Sequence, residues 1–270
     1  MSEDRGWCPR LVVLDLDGTL VPGPGFTGEP PTPAVRDAVA RVRAAGVPVL
    51  VATARTIMLC FDTLGQLGIA DGWLVCGNGG ITYHLGSRSF EHRITFDADP
   101  VAHALATALP GAEFAVEEGA HGFRATAGFC AGLPFTPLAT QPLAELVAAP
   151  VTRMACRAQR HPPEAVTSAA GTAAAGQPVT WSSEIPGWLD IGPAGLSKAV
   201  AVAKVAERLG VAAADALAIG DGANDVPLFT WAGRSVAMGD APPEVRQAAT
   251  YVTGDVAADG AATALARWFP

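Results

Sequence analysis

At 270 residues, and with about 150 residues per domain as a guide, the chain is long enough for one large domain or two modest ones. Half of its residues are hydrophobic and 16% are charged, a composition that excludes general disorder. The 26 acidic residues outnumber the 18 basic ones and leave a net charge of −8, a field that repels polyanions, so duplex nucleic acid and acidic membrane surfaces are excluded as expected partners.

The acidic opening, 1–7, lacks the basic start and apolar stretch of a secretory signal, and no apolar run approaches the ~18 residues of a transmembrane helix. A cytoplasmic protein is expected. Residues 11–14 form a short, wholly apolar run that ends in Asp15-Leu-Asp-Gly-Thr19, the pattern of a buried parallel strand opening into a polar turn. Residues 33–45 place Val35, Val39 and Val42 on one helical face, with Thr32 as the cap and Gly46 as the stop. A second apolar run, 47–52, ends at Thr53. A helix over 56–67, stopped by Gly68, and a strand over 73–76 ending at Gly77-Asn-Gly79 repeat the unit. This alternation predicts an open parallel α/β sheet.

From 81 to 189 the rhythm changes. Strands are predicted at 90–96, 122–127, 151–158 and 178–183, and helices at 100–109 and 163–175, which together describe an α+β insertion. The first pattern returns with a helix over 197–209, a stop at Gly210, a strand over 217–219 and then Gly220-Asp-Gly-Ala-Asn-Asp225. The expected organisation is a discontinuous Rossmann-like α/β core, residues 1–80 and 190–270, interrupted by an α+β domain over 81–189.

In doubly wound sheets the residues that follow the carboxyl ends of the strands share one crevice. Asp15, Asp17, Thr53, Asn78, Asp221, Asn224 and Asp225 are therefore expected to meet. Four carboxylates in a small volume repel one another unless a divalent cation neutralises them. Oxygen donors without His or Cys favour a hard ion, Mg²⁺ first. Lys198 opens a helix, where an ammonium and the positive helix end together favour phosphate. Lys204, six residues later and ~240° around the helix, points elsewhere.

Other features read as structural. The five cysteines, Cys8, Cys60, Cys76, Cys130 and Cys156, are odd in number, widely spaced and without C-x-x-C, so they are expected to be free thiols in a reducing compartment. The histidines His84, His92, His103, His121 and His161 lack ligand spacing. Gly23-Pro-Gly-Phe-Thr-Gly28 matches G-x-G-x-x-G in letters but opens no helix, so it is not a dinucleotide fingerprint.

Taken in order, Asp15-Leu-Asp17-Gly-Thr-Leu20, Thr53-Ala-Arg55, Asn78-Gly79, Gly195-Leu-Ser-Lys198 and Gly220-Asp-Gly-Ala-Asn-Asp225 resemble the motifs of the haloacid dehalogenase (HAD) superfamily. The insertion before the lysine motif resembles that of its Cof-type phosphatases, which carry a large α+β (class IIB) cap. The resemblance implies an Mg²⁺-dependent phosphatase that hydrolyses phosphomonoesters of small metabolites, sugar phosphates first, through an aspartyl-phosphate.

By the same resemblance, Asp15 is the nucleophile, Asp17 the general acid and then base, and Lys198 the cation that holds Asp15 and the phosphoryl charge. Thr53, Ala54, Arg55, Asn78, Lys198 and Asn224 are the implied phosphate or substrate contacts. Asp15, Asp17 (through its carbonyl), Asp221 and Asp225 are the implied metal ligands. The cap is expected to set specificity and to exclude polymer phosphates, in a monomer or homodimer. Two alternatives stay open: a phosphomutase of the same superfamily, and a non-catalytic phosphate-binding or phospho-acceptor module. The second motif departs from the common Thr-Gly-Arg, since Ala54 adds a methyl beside the expected phosphate site.

Overall fold

The computed structural model describes residues 6–23, 29–134, 136–183 and 185–270, so most of the glycine-rich segment after the first motif, 24–28, lies outside the described residues. The first apolar run forms β1, Leu11–Leu14, buried along its whole length. Helix α1, Pro33–Ala44, starts where Thr32 accepts from the Val35 N–H at 3.2 Å and Pro33 supplies a helical φ, and it turns Val35, Ala38, Val39 and Val42 inward. Strands β2, Val49–Ala52, and β3, Trp73–Cys76, extend the parallel sheet.

Between these two strands the single helix expected over 56–67 is broken into a 3₁₀ turn, Met58–Cys60, and a short α2, Phe61–Gln66. Residues Thr56–Met58 group with the inserted unit, where the Ile57 N–H points at the Glu117 carboxylate, 3.4 Å away, in place of a helical carbonyl.

The boundary expected at 81 moves. Strand β4, Ile81–His84, pairs antiparallel with β3, and β5, Ser89–Arg93, adds beyond it at the sheet edge. A tight turn at Gly77–Gly79 lets the chain double straight back, which antiparallel pairing allows and parallel pairing does not. The inserted unit therefore runs over Arg93–Leu196 in place of 81–189.

That unit has its own sheet, in the order β10-β11-β9-β6-β7-β8. Its strands are β6 Glu113–Glu117, β7 Phe123–Ala125, β8 Ala139–Thr140, β9 Met154–Arg157, β10 Val179–Ser182 and β11 Trp188–Pro193. The helices are α3 Asp99–Ala108, α4 Leu143–Leu146 and α5 Pro163–Ala174. Alternate residues Phe114 and Val116, Met154 and Cys156, Leu189 and Ile191 join Val101, Leu105, Val166 and Ala170 in one buried cluster.

The core resumes with α6 Lys198–Leu209, β12 Ala216–Gly220, α7 Val226–Trp231, β13 Arg234–Ala237, α8 Pro243–Ala248, β14 Tyr251–Val252 and α9 Gly260–Ala266. Its sheet has the order β14-β13-β12-β1-β2-β3-β4-β5, with parallel pairing from β14 through β3. The chain builds outward from β1 through β2 to β3, then from β12 through β13 to β14 on the other side. The topological switch point thus lies between β1 and β12, and pairing of Leu14 with Ile219 sets Asp15 beside the end of β12.

Among the described residues no disulfide forms, and the buried Cys60 and Cys76 thiols share a hydrogen bond at 3.7 Å. Among the described residues no helix is long and apolar enough to cross a membrane.

Candidate active site

At the switch point β1 delivers Asp15, whose N–H donates to the Ile219 carbonyl at 3.0 Å and which is only 6% exposed. Its Oδ1 accepts from the Leu16 N–H at 2.8 Å and lies 3.0 Å from Lys198 Nζ. The same ammonium donates to Asp225 Oδ1 at 2.7 Å. Asp225 Oδ2 then accepts from the Asp221 and Gly222 N–H groups at 3.1 and 3.0 Å, so this carboxylate ties the lysine to the turn after β12. Lys198, 1% exposed, is the first residue of α6 and enters the site from the helix start, as expected. Lys204 is exposed on the same helix and lines a separate groove with Trp73 and His92.

Asp15, Asp221 and Asp225 each offer an oxygen within 4.8 Å of the others. Burial, opposed by Lys198 and reinforced by Asp225 and Asp221, pushes the Asp15 carboxyl well above the ordinary carboxylate range. Burial and Asp225 push Asp221 up to about 6, against the hydrogen bond it accepts from the Thr19 hydroxyl at 3.1 Å. Burial alone would lower the Lys198 ammonium, but Asp15 and Asp225 outweigh it and hold its pKa above the usual lysine value. Such crowding of carboxylates is what a divalent cation relieves, and an all-oxygen donor set fits a hard one.

Asp17 stands apart from this cluster. Both of its oxygens accept from Arg55 in a fork, Oδ2 from Nε at 2.7 Å and Oδ1 from Nη2 at 2.6 Å. Arg55 Nη1 is anchored in turn on the Leu59 carbonyl at 3.0 Å and the Thr63 hydroxyl at 3.1 Å. Burial would lower the Arg55 pKa, but the bonds and charge of Asp17 raise it. Arg55, expected at phosphate or substrate, is thus engaged with the Asp17 carboxylate.

Thr53 is buried after β2, and its hydroxyl oxygen accepts from the Arg55 N–H at 3.1 Å. The hydroxyl proton has no acceptor among the described residues and remains available to an anion. Ala54 sits between these two residues in the same turn. The turn after β3 is laced to it, with Asn78 N–H on the Thr53 carbonyl at 3.1 Å and Gly77 N–H on the Arg55 carbonyl at 3.0 Å. Asn78 Oδ1 accepts from Asn224 Nδ2 at 2.9 Å, so these two expected phosphate contacts meet each other.

Sequence reasoning missed the supports. Thr19, which holds Asp221, lies inside the Asp-x-Asp-Gly-Thr motif and was legible there, whereas nothing in the spacing of Thr63 marks it as an anchor for Arg55.

The chain's sequence and fold match a known protein family. A family model described as haloacid dehalogenase-like hydrolase matches residues 12–120 and 163–265, and the chain belongs to that family. Over 80 residues it is 39% identical to the 5-amino-6-(5-phospho-D-ribitylamino)uracil phosphatase YcsE of Bacillus subtilis, a match covering 30% of this chain and 32% of that protein. Over 75 residues it is 44% identical to the phosphoglycolate phosphatase of Halobacterium salinarum, covering 28% of this chain and 33% of that protein. The chain thus spans about a third of the length of each of these relatives. Among solved structures, a haloacid dehalogenase-like hydrolase from Bacteroides thetaiotaomicron shares the fold with a TM-score of 0.83 at 23% identity, over 96% of this chain and 99% of that one.

Proposed function

We propose that the protein is an Mg²⁺-dependent phosphatase that hydrolyses phosphomonoesters of small metabolites through an aspartyl-phosphate, with sugar phosphates as the leading substrate class. The observation that carries this reading is the meeting of Asp15, Asp221 and Asp225 with the buried Lys198 at the switch point. The substrate class draws support from YcsE, whose name specifies a phosphoribityl compound.

Asp15 Oδ1 is held by two donors, the Leu16 N–H and Lys198, which leaves Oδ2 as the attacking atom. Lys198 neutralises charge on both Asp15 and the phosphoryl group. The Thr53 hydroxyl and the Asn224 amide supply donors for the phosphoryl oxygens. Asp17 protonates the leaving alcohol and then takes a proton from water, a role for which it has to leave the Arg55 fork that holds both of its oxygens. Asp15, Asp221 and the Asp17 carbonyl would hold the Mg²⁺ ion, joined by Asp225, whose oxygens already serve Lys198 and two backbone donors. When bound, the cation offsets the negative charge that gathers as the phosphoryl group is transferred. Selection among substrates is assigned to the inserted unit, and the site is assigned to the cytoplasm.

The test is phosphate release from a panel of sugar, nucleotide and carboxylate phosphates, in Mg²⁺ and in EDTA, beside Asp15→Asn. Release that needs the metal and falls by about 10³-fold or more in the variant is expected. Substantial turnover by a chemically verified Asp15→Asn preparation would overturn the nucleophile and the covalent route with it.

A further inference from the structure

The turn 77–79 holds a non-glycine residue in the left-handed backbone region, with Asn78 at φ 55° and ψ 30°. Asn occupies this region more readily than most residues because its short amide can bond the nearby backbone. Here the amide reaches far along the chain, since Oδ1 accepts from Asn224, 146 residues away. The second end of the Asn224 amide is confined as well. Its Oδ1 lies over Gly222, where a Cβ would come within 2.4 Å. An amide nitrogen carries two protons, and with one on Asn78 the other has a fixed direction and no acceptor among the described residues.

We propose that Asn78 is a positioning residue: it does not bind phosphate itself but turns the Asn224 amide so that its remaining N–H meets a phosphoryl oxygen. The inference rests on the phosphatase reading and replaces the direct phosphate contact expected of Asn78. Asn78 Oδ1 is an acceptor already given to Asn224 and its backbone N–H is bonded to the Thr53 carbonyl, so neither meets a phosphoryl oxygen. A direct contact through Nδ2 would show as a loss that adds to that of Asn224→Ala. Glycine enters the left-handed region without strain, so Asn78→Gly keeps the turn and removes the side-chain amide with its acceptor.

The experiment compares wild type, Asn78→Gly, Asn224→Ala and the double variant. It measures kcat and KM for a phosphomonoester, the Kd of inorganic phosphate by calorimetry in Mg²⁺, and the melting temperature. Asn78→Gly is expected to raise KM and the phosphate Kd together by about fivefold, the worth of one hydrogen bond, with kcat and melting temperature close to wild type. On the Asn224→Ala background it is expected to add nothing, because the two residues act as one unit. Wild-type phosphate affinity in Asn78→Gly overturns the proposal, and so does an effect that adds in full to Asn224→Ala or appears only as lost stability. A wild-type protein that binds phosphate but hydrolyses no phosphomonoester ends the phosphatase reading, while the calorimetry still decides the role of Asn78. A protein that binds no phosphate overturns both.

Discussion

Glu117 is a carboxylate that folding places under cover, beside the Thr152 hydroxyl at 3.1 Å and the Ile57 N–H at 3.4 Å. Burial pushes its pKa up from the ordinary 4.5, and Arg153, the hydroxyl and the N–H offset only part of that. The folded chain therefore holds this proton more tightly than the unfolded chain does. Stability from this group is present below about pH 4.5 and is lost as pH rises through the folded value. Glu117→Gln is thus expected to match wild type near pH 4 and to exceed it at neutral pH in urea denaturation, and a gap independent of pH would rule out Glu117 as the titrating group. The sequence makes residues of the candidate site legible to different degrees. Asp15, Lys198 and Asp221 follow from strand ends and motif spacing. The partners of Arg55 and Asn78 do not, because both side chains can reach more than one neighbour, and only the fold shows that Asp17 and Asn224 are the ones they meet.

Among the elements, the turn after β3 and the start of α6 are pressed together. Gly79 has φ 101°, and a Cβ there would lie 2.4 Å from the Ser197 carbonyl oxygen, one residue before Lys198. Gly79→Ala is expected to destabilise the protein by on the order of 2–4 kcal/mol. It should also slow phosphate release by about 10–100-fold, since the helix that carries Lys198 has to shift. Gly46→Ala is the control: φ is 74° but nothing lies within 4 Å of the new methyl. It is expected to lose about 1–2 kcal/mol of stability and to keep activity. Equal activities for the two variants would show that the contact does not set Lys198.

The same elements show where sequence patterns run out. Continuous apolar runs made β1, β2 and β3 readable, and Thr32 with Gly46 bracketed α1 to within a residue. Strand β6 escaped because Glu113 and Glu117 bracket its Phe-Ala-Val centre, and β4 because a tight hairpin carries no helical signal between its strands.

For the whole molecule, the inserted unit has the contiguous stretch Arg93–Leu196, its own sheet and its own buried cluster around Phe114, Met154 and Leu189. Residues 93–196 expressed alone are expected to give a cooperative thermal transition with mixed α/β circular dichroism. A broad, non-cooperative melt would show that this cluster depends on the core. The core is built in the opposite way. Strand β1 lies between β2 and β12, and its register with β12 runs from Leu11↔Ala216 to Leu14↔Ile219. On the ribosome, roughly 200 further residues must emerge before that partner arrives, a wait of about 10–40 s at ordinary rates of synthesis. For that interval Asp15 has neither Lys198 nor Asp221 beside it. The acidic centre therefore comes together late in the making of the chain, after the inserted unit has had time to fold.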